Sequence, residues 1–207
     1  MRIEKLYKSQ KVADRWYAEL TGGETIRVSL AIVADYSLYK GRELTDEELS
    51  DLRAAAAESG AKSRALRMLG ARQMSRRELV DKLTQKGETE ENAAAAADFM
   101  ERIGAVNDEE YSKAIVRHYS KKGYGAARIK QELSRRGVPR EMWDEALCEL
   151  PEGDETIDTL IARKLNGREP DKQEVKRLTD MLLRRGFSWG QIKAALGRYD
   201  EALEETE

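Results

Sequence analysis

A short phrase recurs three times between residues 61 and 200, and it limits the fold of this chain more than any other feature. It reads apolar, three residues, apolar, two residues, base, glycine. The copies are Leu79-Leu83-Lys86-Gly87, Ile129-Leu133-Arg136-Gly137 and Leu178-Leu182-Arg185-Gly186, with glycines 50 and then 49 residues apart. Each copy has the composition of a helix end. An apolar pair at i, i+4 faces a core. A base in the last turn suits the negative end of the helix dipole. Glycine supplies the left-handed residue beyond the cap.

The agreement continues past each glycine. Six residues on stand Ala93, Trp143 and Ile192; nine on, Ala96, Ala146 and Ala195; ten on, Ala97, Leu147 and Leu196; thirteen on, Met100, Leu150 and Tyr199. These offsets trace one helical face. Alanine at offset nine in every copy lets two helices approach closely. Leu66, Val116 and Leu165, each 21 residues before its glycine, predict a preceding helix in each unit. Ser75-Arg-Arg-Glu78, Asn107-Asp-Glu-Glu110 and Ser188-Trp-Gly-Gln191 read as capping boxes that open helices. In the third unit the first helix, Ile157–Leu165, is followed by an apparent loop, NGREPDK. The fold class is therefore mainly α: tandem three-helix repeats in an elongated array. Units of about 50 residues bury little alone, and stacked units are expected to share a core.

The segment before the repeats has another period. Trp16, Ala18 and Leu20 alternate with polar neighbours, as do Ile26, Val28 and Leu30, with Gly22-Gly23 between them. That pattern predicts a β-hairpin, extended by Ile3 and Leu6 as a third strand. Thr45 and Glu48 form a further capping box, opening a helix through Leu49 and Leu52 that is expected to end at Gly60. The expected organisation is an extension over 1–58, repeats over 59–106, 107–151 and 152–200, and an acidic tail over 201–207.

Several functions are excluded by what the chain lacks. It has no run of about 18 apolar residues and no apolar leader at its start, so neither a membrane span nor a secretory signal is expected. One cysteine, Cys148, and one histidine, His118, are too few for a disulfide framework or a Cys/His zinc site. No phosphate loop, dinucleotide fingerprint or calcium loop is present. The expectation is a cytoplasmic, non-enzymatic protein without catalytic residues, metal or cofactor. Cys148 reads as a small helix residue, His118 as a surface one, and Trp16, Trp143 and Trp189 as packed.

Charge is uneven. The net of −2 divides into −2 over residues 1–60, +4 over 61–200 and −4 over 201–207. Bases recur at corresponding places in the units. They are Arg72, Arg76, Arg77, Lys82 and Lys86; then Arg117, Lys121, Lys122, Arg128, Lys130, Arg135 and Arg136; then Lys172, Lys176, Arg177, Arg184 and Arg185. Aligned by stacking, they would form a broken basic stripe able to meet phosphates or acidic protein surface. Taken singly, each base is more simply a solvated helix residue. Tyr124, between Gly123 and Gly125, either offers its ring and nearby backbone N–H groups to a partner or packs in a plain turn.

The repeat phrases resemble those of the RecX family, bacterial regulatory proteins that modulate the RecA recombinase. The matching stretches are ALRMLGARQMSRRELVDKLTQKG (65–87), IGAVNDEEYSKAIVRHY (103–119), GYGAARIKQELSRRGV (123–138) and LLRRGFSWGQI (182–192), in order and at matching spacing. The resemblance implies tandem three-helix repeats and two partners, RecA and the RecA–ssDNA filament. It implies modulation, mostly inhibition, of recombinase, ATPase and filament growth, and so a part in homologous recombination, DNA repair and the SOS response. Some members carry an N-terminal extension like residues 1–58. The candidate contacts for RecA or DNA are the bases named above and Tyr124, on a monomer. The acidic balance weighs against strong autonomous DNA binding and allows a weak form of it. The alternative is a stand-alone DNA-binding protein of helix-turn-helix-like repeats.

Overall fold

The computed structural model describes residues 1–150, 154–168 and 170–204. The period-two segment forms an antiparallel sheet of β1 (Ile3–Lys8), β2 (Trp16–Leu20) and β3 (Thr25–Val28), in that order. Gly22 and Gly23, at φ +100° and +88°, make the β2–β3 turn. Ala18 lies opposite both Leu6 and Ile26, and Trp16 opposite Val28, so the apolar sets share one face. That face buries Ile3, Leu20, Ile26 and Val28 with Leu49, Leu52 and Ala56, and Trp16 packs against them.

The second hairpin strand is shorter than the alternation suggests. Leu30 does not continue it; it is exposed and opens α1 (Leu30–Asp35). The Ser29 side chain caps this helix by accepting from the Ile32 N–H, while Asp14 accepts from the Leu30 N–H at 2.9 Å. These caps override the strand pattern.

Helix α2 (Asp46–Ala71) opens with the expected Thr45–Glu48 capping box but does not stop at Gly60. It runs on as the first helix of repeat one, so the extension and that repeat share one element. A glycine inside a helix costs about 1 kcal/mol relative to alanine. Here the surrounding alanines and the buried Ala61 and Ala65 carry the helix through it. With α3 (Arg76–Gln85) and α4 (Glu90–Arg102), α2 encloses a core in which Leu79, Leu83 and Met100 pack among Ala61, Ala65, Ala93, Ala96 and Ala97. Leu66 is exposed, contrary to its repeat position. Ala65, Met68 and Leu69 face the core instead, because a one-residue offset turns a helical side chain through about 100°.

The chain divides into two compact units, Met1–Val106 and Asn107–Glu207. In the second, repeat two comprises α5 (Asp108–Lys121), α6 (Ala126–Arg135) and a 3₁₀ turn, Arg140–Met142, leading into the short α7 (Trp143–Leu147). Repeat three comprises α8 (Asp154–Leu165), α9 (Lys172–Arg184) and α10 (Trp189–Glu204). All six apolar residues of the three phrases are buried, and Gly87, Gly137 and Gly186 stand at φ +91°, +71° and +88°. The alanines at offset nine are buried in every copy.

Cores are not shared as expected. Each repeat has its own cluster of buried residues, separate from that of the extension. Repeats two and three meet through backbone. The Gly125 N–H donates to the Arg185 carbonyl at 2.8 Å, and the Ala127 N–H to the Gly186 carbonyl at 3.1 Å. A Cβ on Gly125 would lie 2.5 Å from the Gly186 oxygen, and one on Gly186 would overlap the Arg128 backbone nitrogen. Trp143 packs in the repeat-two core with its indole N–H on the Val138 carbonyl at 3.0 Å. Trp189 does not pack. It is 62% exposed at the start of α10, while Ile192 one turn later takes the core position. Lys172, the last residue of the expected loop NGREPDK, already begins α9, and Asp171 before it closes an unanticipated capping box with Glu174. The expected tail over 201–207 lies partly outside the described residues.

Candidate functional site

The bases of repeat one mostly hold that repeat together. Arg76 reaches from α3 to Asp98 at 2.5 Å and Glu101 at 3.1 Å, both on α4. Arg72 pairs with Glu78, which Lys82 approaches at 3.8 Å. Arg77 and Lys86 are exposed, and the Lys86 carbonyl accepts from Arg64 at 2.7 Å.

Repeat two differs because its α6 carries a buried acid. Glu132 is 5% exposed. Its carboxylate accepts from Arg135 at 2.6 and 3.1 Å and from the Tyr119 hydroxyl of α5 at 3.0 Å. Arg128 stands 3.3 Å away and Arg136 4.0 Å, and Arg136 also donates to the Tyr111 hydroxyl at 2.8 Å. Burial alone pushes the Glu132 carboxyl up. Hydrogen bonds from Arg135 and Tyr119 and the charges of Arg135 and Arg128 outweigh it, holding the group below the usual carboxylate range.

Tyr119 extends this cluster into an aromatic and cationic network. Its ring packs against Tyr124, centroids 5.7 Å apart, and Lys122 lies 5.7 Å from its centre. Arg185 of repeat three stands 5.7 Å from the Tyr124 ring and donates to the carbonyls of Lys122 and Gly123, both at 3.1 Å. Those carbonyls end α5, so a cation from the neighbouring repeat meets the negative end of that helix. Tyr124 is half-buried in the repeat-two core, as in the plain-turn reading. The N–H groups of Gly123, Tyr124 and Gly125 are all bonded within the protein and are not offered outward.

The structure thus gathers Lys122, Tyr124, Arg128, Arg135, Arg136 and Arg185 around Tyr119 and Glu132. Other predicted positions stand apart from this network. Arg117 pairs with Glu149 at 2.8 Å, Lys130 approaches Asp144 at 3.8 Å, and Lys121, Lys172 and Lys176 are exposed. Arg177 and Arg184 line a cleft of about 480 Å³ on repeat three, with Lys164, Arg168 and the single acid Glu174. Sequence reasoning missed Glu132, Tyr119, Lys164 and Arg168. The first two lie thirteen residues apart on different helices, and no local spacing reports their meeting. His118 is exposed, as read; Cys148, expected inside a helix, is an exposed cap just beyond the end of α7. Among the described residues, no His, Cys, Asp and Glu cluster could hold a metal ion, and no helix is long and apolar enough to cross a membrane.

Fold and site together define a protein of tandem three-helix domains with basic, aromatic-backed surfaces. Three family models match in order: the first RecX three-helix domain over residues 61–100, the second over 107–147 and the third over 152–196. The regulatory protein RecX of Vibrio vulnificus is 34% identical over 143 residues, covering 68% of this chain and 92% of the relative. That of Streptococcus gordonii is 27% identical over 203 residues, 97% of this chain and 78% of the relative. A crystal structure of regulatory protein RecX shares the fold, with a TM-score of 0.73 at 22% identity over 95% of this chain and 98% of that one. The chain belongs to the RecX family.

Proposed function

We propose that this protein is a non-enzymatic regulator of RecA that binds RecA and its filament on single-stranded DNA and slows ATP hydrolysis, strand exchange and filament growth. Family membership supports the regulatory role, and its relatives bear the name regulatory protein RecX. The observation that carries the binding reading is the network about Tyr119 and Glu132. It holds Arg128 and Arg135 against Glu132 and sets Lys122 over the Tyr119 ring, all at helix ends, where side chains already partly ordered lose less on binding. Repeated weak contacts with a repeating filament sum through effective concentration. The protein acts in the cytoplasm as a monomer.

Adding the purified protein to RecA on single-stranded DNA is expected to slow ATP hydrolysis at stoichiometric or lower ratios. Unchanged hydrolysis and strand exchange with folded protein present would overturn the proposal. Stand-alone DNA binding is the second reading, supported by the bases around the repeat-three cleft. It predicts tight binding without RecA and a steep dependence on salt.

A further inference from the structure

The extension carries a cleft that the regulatory reading does not use. It lies between the start of β2, the end of β3 and the middle of α2, with a volume of about 270 Å³. Arg15, Arg27 and Arg67 line it with the hydroxyl-bearing Ser29, Ser59 and Ser63. One acid, Asp14, lies there, and one of its oxygens is engaged by the Leu30 N–H.

Half-buried arginines elsewhere in this unit have carboxylate partners. Arg42 reaches Glu48 at 3.0 Å, Arg64 reaches Glu88 at 3.3 Å and Arg76 reaches Asp98 at 2.5 Å. Arg15 and Arg27 are equally half-buried, yet neither guanidinium meets a carboxylate among the described residues. Partly desolvated cations without a counter-charge are costly to hold unless an anion arrives.

Gly60 supplies an independent observation. It sits in mid-helix, where alanine would be more stable. A Cβ there would lie 2.6 Å from the Arg27 Nη2. The glycine leaves room for the Arg27 guanidinium against α2, and an added Cβ would displace the end of that flexible side chain from the cleft.

We infer that this cleft is an anion site that takes a phosphate group. Guanidinium forks donate in pairs to phosphate oxygens, and serine hydroxyls can donate to the remaining ones. The exposed Val12 and Leu66 add apolar rim beside the bases, suited to the sugar or base that a nucleotide phosphate carries. None of the bases around Tyr119 and Glu132 lines this cleft.

The test uses the full chain and nuclear magnetic resonance of the arginine Nε–H groups. Three probes are added separately: the oligonucleotide dT20, inorganic pyrophosphate and a polyglutamate peptide. Shifts of the Arg15 and Arg27 signals with dT20 alone assign the phosphate to a nucleic-acid strand. Shifts with pyrophosphate as well assign it to phosphate from either source, and shifts with pyrophosphate alone to a free phosphate compound. Arg27→Gln is expected to weaken binding of the active probe about three- to tenfold. With dT20 it should also reduce the salt slope by roughly 0.7. Gly60→Ala should weaken binding similarly while the thermal midpoint holds or rises. Lys40→Gln, an exposed change beside β1, should leave binding within twofold. No shift with either phosphate probe, stronger binding of polyglutamate, or equal losses in Arg27→Gln and Lys40→Gln would overturn the inference.

Discussion

The repeats of the two units share one phrase but place its elements in different surroundings. In repeat one, Gly87 faces open space, and Arg76 ties two helices together at a half-exposed surface. In the second unit the equivalent Gly186 is pressed against Arg128 backbone, and the bases gather on a buried carboxylate and two tyrosines. The same local grammar therefore makes a self-contained repeat in one place and a joined pair with a braced basic surface in the other. The difference comes from what each position meets in space.

The largest effect should separate the two glycines. Gly186→Ala forces a side chain against backbone at a left-handed position and is expected to cost more than about 3 kcal/mol in urea unfolding. Gly87→Ala meets only the conformational strain and should cost about 1 kcal/mol. Similar losses would mean that the repeat-two and repeat-three junction is not tight.

The carboxylate comes next. Glu132→Ala removes the acceptor that Arg135 and Tyr119 share and should cost about 1–3 kcal/mol. Arg76→Ala, which breaks half-exposed pairs with Asp98 and Glu101 in repeat one, should cost about 1 kcal/mol or less. Acid should sharpen this contrast. The folded carboxyl of Glu132 lies below its unfolded value of roughly 4.3. Its contribution is therefore complete above that pH and is lost as pH falls through the lower folded value. In Glu132→Gln, acid unfolding followed by circular dichroism should lose that part of its pH dependence.

The repeats were legible in the sequence because the phrase encodes local requirements: a buried pair at i, i+4 and a glycine at positive φ. The β-hairpin was legible because its alternation and turn are equally local. Leu30, Gly60, Leu66 and Trp189 depart from the pattern because a competing cap, a packed side chain or a shift in helical phase outweighs it. Leu30 answers to caps from Ser29 and Asp14, and Gly60 to the side chain of Arg27. Leu66 and Trp189 sit one residue and one turn from the positions that face their cores. The candidate site was legible only as a list of bases with Tyr124 among them. Glu132, flanked by bases on one helix, reads as surface pairing, and only Tyr119 on another helix makes it the centre of a buried cluster. Arg185 reads as a base for its own helix end, yet it serves the end of α5.

The direct test of the comparison is affinity for preformed RecA filaments on single-stranded DNA, read by fluorescence anisotropy. Lys122→Glu combined with Arg128→Glu is expected to weaken binding about tenfold with helical content unchanged. Arg77→Glu combined with Lys86→Glu, the same charge change in repeat one, should stay within twofold. Equal losses in the two variants, or full affinity in the first, would contradict the assignment of the filament contact to the second unit.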